Sequence, residues 1–228
     1  MAAIRATPNL GRLLSEPADW KRFGERDFGE EVATRRSSWV RRLRTAGGDF
    51  HIKSYDYATW GSRWQGFCRT TGPWVRSRAT REFDALTWLA EHAPPAADAI
   101  AVFEHRRAGL LCRAVLVTAT FAGDPLDRLL AATDDRAGLA HALGCYVARL
   151  HGLGYRDGNL DLRNLIGRRD DGGEWVISKI DSPKYRLRRP GEAPDRWTAA
   201  DWQRLLPQLA PFGLAEETRA AARGQKPG

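Results

Sequence analysis

The residues best suited to chemistry in this chain lie in one polar loop, residues 157–164, which precedes a short apolar segment. Polar side chains alternate along this loop with glycine and leucine, at Asp157, Asn159, Asp161 and Arg163. An extended segment would place these polar side chains on one face. Downstream, residues 174–180 are rich in β-forming types, which predicts a strand that ends at Asp181.

Asn164 and Asp181 form the pair that points to phosphoryl transfer. An amide and a carboxylate supply the oxygen ligands that a hard cation such as Mg²⁺ prefers. Protein kinases use such a pair, with the Asn five residues after the catalytic Asp and a second, metal-binding Asp further along. Here the catalytic position holds Asn159, and the position that usually holds His, two residues earlier, is Asp157. A polar turn between a helix and a hairpin is the alternative interpretation.

Composition indicates a globular protein with an anionic partner. Its 228 residues suit one medium domain or two small lobes, and 43% hydrophobic residues suffice for a packed core. The net charge of +8 favours a nucleotide, nucleic acid, phospholipid or acidic glycan, without choosing among them. Three scattered cysteines, Cys68, Cys112 and Cys145, fit free thiols in a reducing cytosol. We expect no secretory signal, because the N-terminal sequence has no apolar core, and no membrane span, because no apolar run approaches about 18 residues.

The first half of the chain is expected to be mainly β-structure after a loose or partly helical lead-in over residues 1–27. Strands are predicted near residues 28–33, 38–44, 49–55, 99–105 and 110–120. A helix is predicted over residues 77–92, between the third and fourth strands. Lys53 on the third strand and Glu82 on this helix have two interpretations: solvated surface residues, or an ion pair that holds the lysine toward nucleotide phosphates.

Residues 58–77 interleave tryptophan and phenylalanine with arginine. Stacking combined with phosphate pairing is how proteins bind single-stranded nucleic acid, so that function stays open. We favour the alternative, a helical excursion that packs its aromatic side chains on the sheet.

The second half is predicted to be mainly helical after a hinge at residues 121–125. A helix should begin at Leu126, a long amphipathic helix should cover residues 137–153, and a last helix should cover residues 198–209. Asp201 lies early in this last helix. The tail from Glu216 is expected to fray.

The order of these features resembles the Kdo/heptose lipopolysaccharide kinase family over about residues 28–210. SRATREFDALTWLAEH is similar to the family's glutamate-bearing helix, and RLHGLGYRDGNLDLRNLI is similar to its catalytic loop. VISKIDSPKYR resembles the strand that ends in an Asp-x-x-Arg/Lys stretch. The resemblance implies an α+β, two-lobed, protein-kinase-like fold, with a small antiparallel-sheet N-lobe at 28–121 and a reduced helical C-lobe at 122–228.

The resemblance also implies ATP and Mg²⁺ as cofactors and a sugar hydroxyl of a membrane glycolipid as acceptor. Lys53 would hold the α- and β-phosphates and Glu82 would orient it, while Asn164 and Asp181 would bind Mg²⁺. Asp201 would brace the catalytic loop from the last helix. Such a protein would be cytoplasmic, either free or peripheral at the inner membrane. The basic and aromatic residues 60–78 would face anionic lipid or glycan.

Three departures from the family pattern bear on activity. The turn at residues 34–38 lacks phosphate-binding glycines, which Arg35 and Arg36 could replace by charge. Ser182 follows Asp181, where an apolar residue is usual. Most important, Asn159 replaces the catalytic Asp, and an amide does not accept a proton at neutral pH. We expect Asp161, or else Asp157, to substitute in part for the missing carboxylate.

Three functions therefore compete. The first is an active glycolipid phosphotransferase, and the second is a pseudokinase that binds nucleotide or acts as a scaffold with little turnover. The third is a basic nucleic-acid-binding protein, which is disfavoured because the basic residues are spread along the chain and no nucleic-acid-binding motif is present.

Overall fold

The computed structural model describes residues 2–7, 22–23, 25–35 and 37–224, and the chain divides into two compact units. The first unit is Met1–Thr87 with Ala97–Thr120, and the second is Trp88–Ala96 with Phe121–Gly228. The division falls inside the helix that carries Glu82, so the last turn of that helix belongs to the second unit.

The described part of the first unit contains a six-stranded antiparallel sheet, ordered β1-β5-β6-β4-β3-β2. Its strands are β1 Ala2–Ala6, β2 Glu30–Arg35, β3 Ser38–Thr45, β4 Gly48–Asp56, β5 Ala99–Arg107 and β6 Leu110–Ala119. The five strands predicted for the first half of the chain are all present, as β2 to β6.

Alternation along β4 decides which side chains enter the core. Phe50 and Ile52 pack in an apolar cluster with Phe23 from the N-terminal segment and with inward residues of β5 and β6. Because successive strand residues point to opposite faces, Lys53 emerges on the other side of the sheet from Ile52. This is the side on which it contacts the helix of the same unit.

The N-terminus differs from the predicted lead-in, because Ala2–Ala6 is a strand that pairs with β5. Alanine-rich AAIRA has little β-propensity of its own, and its partner lies about a hundred residues later in the chain, so local sequence could not reveal the pairing. Phe23 is also part of the core. Most of the rest of the lead-in, residues 8–21 and 24, lies outside the described residues.

Helices of the first unit connect β4 to β5. They are α1 Trp60–Gln65, a single π-helical turn at Phe67–Thr71, and α2 Arg78–His92. Ser77 caps α2, since its hydroxyl accepts from the backbone N–H of Thr80 at 3.0 Å. The predicted helical excursion is thus present, but its packing was predicted wrongly: Trp60, Trp64 and Trp74 are exposed rather than packed on the sheet.

The second unit combines two small sheets with helices. One sheet has the order β10-β9-β7 and the other pairs β11 with β8. The strands are β7 Asp124–Pro125, β8 Tyr155–Arg156, β9 Leu165–Arg169, β10 Trp175–Lys179 and β11 Arg186–Leu187. The helices are α3 Leu126–Ala132, α4 Arg136–Gly152, α5 Arg196–Leu209 and α6 Ala215–Gly224, with 3₁₀ turns at Leu162–Asn164 and Ala210–Phe212.

The prediction that the tail frays from Glu216 was wrong for residues 216–224, because α6 packs against α4, while residues 225–228 lie outside the described residues. The two helices approach closely at Gly144, where a Cβ atom would collide with the backbone oxygen of Thr218 and lie 2.8 Å from the Cβ of Ala221. The small residues of α6 dock there because a glycine on the partner helix provides the space. None of the helices in the described ranges is long and apolar enough to cross a membrane.

Gly144→Ala should destabilise the second unit, because the added methyl group has no room between α4 and α6. We expect a loss of about 1–3 kcal/mol in the free energy of unfolding. Gly152→Ala, on the same helix with no atom within 4 Å of the added Cβ, is the control and should change stability by less than about 0.5 kcal/mol. Urea unfolding of both variants checks this; equal midpoints would contradict the close helix contact.

Candidate active site

The polar loop of the second unit connects β8 to the 3₁₀ turn Leu162–Asn164 and then to β9. Leu160 and Leu162 anchor it in the core. Gly158 adopts a left-handed φ of +64°, and a Cβ there would lie 3.2 Å from the backbone oxygen of Lys184. The loop is therefore a tightly packed turn, with its polar groups held in defined positions.

Asp201 of α5 holds the start of the loop, as predicted. Its buried carboxylate accepts from the backbone N–H of Asp157 at 3.0 Å and from that of Gly158 at 2.8 Å. His151 contacts the same carboxylate at 3.2 Å. The helix that carries Asp201 starts at a capping box, where hydrogen bonds from Thr198 lower the pKa of Asp195 to about 2.

The structure brings Asn159, Asn164 and Asp181 together. The side-chain amide of Asn159 donates to the carbonyl oxygen of Asp181 at 3.1 Å, and the amide of Asn164 points to the carbonyl oxygen of Asn159 at 3.5 Å. The backbone N–H of Ile180 also donates to the Asn164 carbonyl at 2.9 Å. Loop and strand end are therefore joined by both side-chain and backbone bonds.

Asp181 has a left-handed backbone conformation, with φ of +58°. Residues other than glycine adopt this conformation at a cost of about 1–3 kcal/mol, and such residues cluster at active sites. Two donors converge on its carbonyl oxygen and hold the conformation: the Asn159 amide and, at 3.1 Å, the ammonium group of Lys179.

Lys179 was not predicted as a site residue, yet it connects the loop to the strand end. It is 0% exposed, donates to the carbonyls of Ile180 and Asp181, and lies 3.5 Å from the carboxylate of Asp157. That carboxylate accepts in turn from the backbone N–H of Asn159 at 3.1 Å. Burial raises the pKa of Asp157, and the charge of Lys179 opposes this. The sequence did contain a signal for this burial. Lys179 lies two residues after Ile177 and four after Trp175, so on β10 it shares their face and points inward with them.

Asp161 is engaged by two arginines. It caps the 3₁₀ turn by accepting from the backbone N–H of Arg163 at 3.2 Å, and it pairs with the side chains of Arg163 and Arg204 at 3.1 and 3.3 Å. Hydrogen bonding from Arg163 lowers the pKa of Asp161. The carboxylates on either side of Asn159 thus have opposite environments: Asp157 is buried beside one lysine, whereas Asp161 is held between arginines.

The first unit holds the other predicted pair. The ammonium group of Lys53 lies 2.8 Å from the carboxylate of Glu82, which also accepts from the hydroxyl of Tyr55 at 3.0 Å. The predicted ion pair is therefore present, between the sheet and α2. In the turn between β2 and β3, Arg35 is exposed, and Arg36 lies outside the described residues.

The side-chain oxygen atoms near the end of β10 suit a hard cation as ligands. Asn164 and Asp181 offer one amide oxygen and one carboxylate, and no cluster of three His, Cys, Asp or Glu suited to a metal occurs among the described residues. Mg²⁺ is commonly held by one or two protein oxygens, with water and phosphate completing its shell. The residues present therefore fit Mg²⁺ bound together with a phosphorylated ligand.

Comparisons with known proteins identify the family and the fold. The model of the lipopolysaccharide kinase (Kdo/WaaP) family matches residues 20–221. The chain is similar to the structure of WaaP in complex with acyl carrier protein, at 16% identity and a TM-score of 0.67, covering 97% of this chain and 87% of that one. It is also similar to the Rio2 kinase–ADP/Mg²⁺–phosphoaspartate complex from Chaetomium thermophilum, at 16% identity and a TM-score of 0.59, covering 92% and 66%. No curated protein matches the chain. The predicted α+β, protein-kinase-like fold is confirmed.

Lys179→Met should destabilise the second unit strongly, because it leaves the buried carboxylate of Asp157 without its cation. We expect a loss of about 3–5 kcal/mol, measured by urea unfolding. The double variant Lys179→Met/Asp157→Asn should recover part of the loss, since the uncompensated charge is gone. Lys184→Met, at an exposed position of the same segment, is the control and should unfold like the parent. A double variant no more stable than Lys179→Met would contradict the pairing.

Proposed function

Because the chain belongs to the lipopolysaccharide kinase (Kdo/WaaP) family, we propose that it uses ATP and Mg²⁺ to phosphorylate a sugar hydroxyl of a lipopolysaccharide-type glycolipid. The observation that carries this proposal is the convergence of Asn159, Asn164 and Asp181 at the left-handed end of β10. Use of ATP and free cysteines support a cytoplasmic location, with the glycolipid met at the inner membrane.

Each residue has a role that its contacts support. Lys53 binds the α- and β-phosphates, and Glu82 orients it through the ion pair. Asn164 and Asp181 hold Mg²⁺, which neutralises charge on the phosphates when it is bound. Asp201 and Lys179 fix the loop and the carbonyl of Asp181, so that these ligands are positioned before nucleotide arrives.

Asn159 limits the rate of phosphoryl transfer rather than the binding of nucleotide. An amide cannot accept the proton of the acceptor hydroxyl, and a general base typically contributes about 10²–10⁴-fold. Kinases obtain most of their acceleration from positioning and charge stabilisation, so the remaining site retains slow transfer. Asn159 also donates to the Asp181 carbonyl, a bond that a carboxylate could not make.

That same hydrogen bond favours a second candidate function. A residue that serves as a structural donor at the catalytic position is compatible with a pseudokinase that binds nucleotide without turnover. The two candidates share the nucleotide site and differ only in transfer, so turnover measurements separate them.

Asn159→Asp should raise ATP turnover by about 10²–10⁴-fold, because it restores a proton acceptor. It should also lower the free energy of unfolding by about 0.5–1.5 kcal/mol, because the bond to the Asp181 carbonyl is lost. Turnover is measured with and without lipopolysaccharide core on parent and variant. A parent with measurable, core-dependent turnover is the proposed enzyme, and a silent parent is a pseudokinase.

The control for this experiment is nucleotide binding. Mg-ATP should raise the melting temperature of the parent, and Asp181→Asn should remove the Mg²⁺-dependent part of that rise. A parent whose melting temperature does not respond to Mg-ATP would contradict both candidate functions.

Asp157 or Asp161 could accept the proton of the acceptor hydroxyl in the parent. Replacing each with alanine, and measuring turnover against pH, shows which of the two does so. The rate falls as pH falls through the pKa of the base, since only the carboxylate form accepts a proton. For Asp161, whose pKa is lowered by Arg163, the fall lies below the ordinary value of 3.8; for Asp157, whose pKa is raised by burial, it lies above 3.8. We expect Asp161→Ala to lower turnover more than Asp157→Ala.

Asp171→Ala, an exposed carboxylate in the turn before β10, is the matched control and should have the rate of the parent. If Asp161→Ala and Asp157→Ala both retain the parent rate and profile, neither carboxylate substitutes for the missing Asp.

A further inference from the structure

A basic segment without acidic residues joins β4 to α2. Between Asp56 and Glu82 the chain contains five arginines and no aspartate or glutamate. Three tryptophans lie in the same segment, at Trp60, Trp64 and Trp74. Such a combination of cationic and amphipathic aromatic side chains is unusual for a connecting segment and calls for a partner that is both anionic and partly apolar.

The three tryptophans are exposed. Trp60 is 59% exposed, Trp64 61% and Trp74 90%, and in the described ranges they are three of the five exposed large hydrophobic residues. Trp60 and Trp64 lie one helical turn apart on α1, so they share a face of that helix. We name residues 60–76 the tryptophan segment.

Hydrogen bonds to the backbone hold the segment in the conformation that exposes Trp60 and Trp64. Arg63 ties α1 to the end of β4 by donating to the carbonyls of Tyr57 at 2.7 Å and Ala58 at 3.0 Å. The hydroxyl of Thr71 then closes the π-helical turn by donating to the carbonyl of Arg63. The first part of the segment is thus fixed to the sheet while its tryptophans point away from the core.

Trp74 is presented in the same way. Arg106 of β5 donates to the carbonyl of Gly72 at 2.7 Å and to that of Val75 at 3.0 Å, on either side of Trp74. Its guanidinium also pairs with Glu104 at 2.8 Å, which fixes the arginine. An anchored loop that leaves its largest apolar side chain almost fully exposed indicates an interaction surface.

We propose that the tryptophan segment docks on the headgroup interface of an anionic phospholipid bilayer. Tryptophan concentrates at membrane–water interfaces because its ring is apolar and its N–H remains hydrogen-bonded. The exposed Arg69 supplies a cation for lipid phosphates, and the exposed Arg76, which pairs with Asp84 at 3.2 Å, adds charge beside it. A surface that combines exposed apolar rings with basic charge binds by partial insertion together with electrostatic attraction.

The surroundings of the tryptophan rings favour lipid over nucleic acid as the binding partner. One face of the Trp64 ring stacks on Phe67, with centroids 5.1 Å apart, and the guanidinium of Arg63 lies 5.5 Å from the centroid of Trp60. A platform for bases needs free ring faces, whereas insertion into headgroups needs exposed edges and an indole N–H.

Flotation of the full-length chain with vesicles tests the proposal without nucleotide or acceptor, so its outcome is independent of the proposed function. The parent should float with vesicles of phosphatidylcholine and phosphatidylglycerol, and less with phosphatidylcholine alone. The triple variant Trp60→Ser/Trp64→Ser/Trp74→Ser should lose about tenfold or more in binding to the anionic vesicles. Arg69→Gln should weaken binding most at low salt, because its contribution is screened.

Val32→Ser is the matched control, since Val32 is an exposed apolar residue of the same unit outside the segment, 52% exposed. It should bind like the parent. Circular dichroism should show equal melting for all variants, because the replaced side chains are exposed. The proposal is overturned if the parent does not bind anionic vesicles, if the triple variant binds as well as the parent, or if the tryptophans are needed only for a single-stranded oligonucleotide.

Discussion

The second unit depends on one carbonyl oxygen, that of Asp181. Its left-handed backbone is costly for a residue with a side chain, so the conformation persists only where surrounding groups hold it. Lys179 and Asn159 both donate to this oxygen, one from the strand and one from the loop. The strand end and the loop therefore cannot move independently, and the oxygen donors of Asn164 and Asp181 share one rigid frame.

Lys179 can be buried because Asp157 is buried with it. A lone ammonium group in the core would cost several kcal/mol, and a lone carboxylate would cost as much, so each is tolerated only with the other. The position of Asp157 in the loop is occupied by histidine in the usual kinase pattern. The change at that position and the lysine on β10 are thus parts of one arrangement. The substitution at Asn159 belongs to it as well, since the side-chain amide of Asn159 donates to the same Asp181 carbonyl that Lys179 contacts.

The sequence was sufficient to predict the elements and contacts that follow from local residue patterns and from the spacing of motifs. The strands β2 to β6, the helices α2, α4 and α5, the Lys53–Glu82 pair and the brace from Asp201 all follow from periodicity or from the order of motifs. It missed what depends on distant partners. Strand β1 is specified by β5, helix α6 by the space at Gly144, and the burial of Lys179 by Asp157. Each missed element is locally unremarkable, and its stabilising contact comes from elsewhere in the chain.

Net charge is also a poor guide to where this protein meets a partner, because many of its arginines are structural. Arg156 is buried and donates to the carbonyl of His151, while Arg106 and Arg63 fix backbone carbonyls beside the tryptophans. These guanidinium groups donate to carbonyl oxygens within the protein, so they contribute little to the electrostatic field outside it. The surface charge that can act on a partner therefore comes from exposed arginines such as Arg69, in a stretch between Asp56 and Glu82 that has no acidic residue of its own. Structural arginines hold that stretch in position, and exposed ones give it its charge.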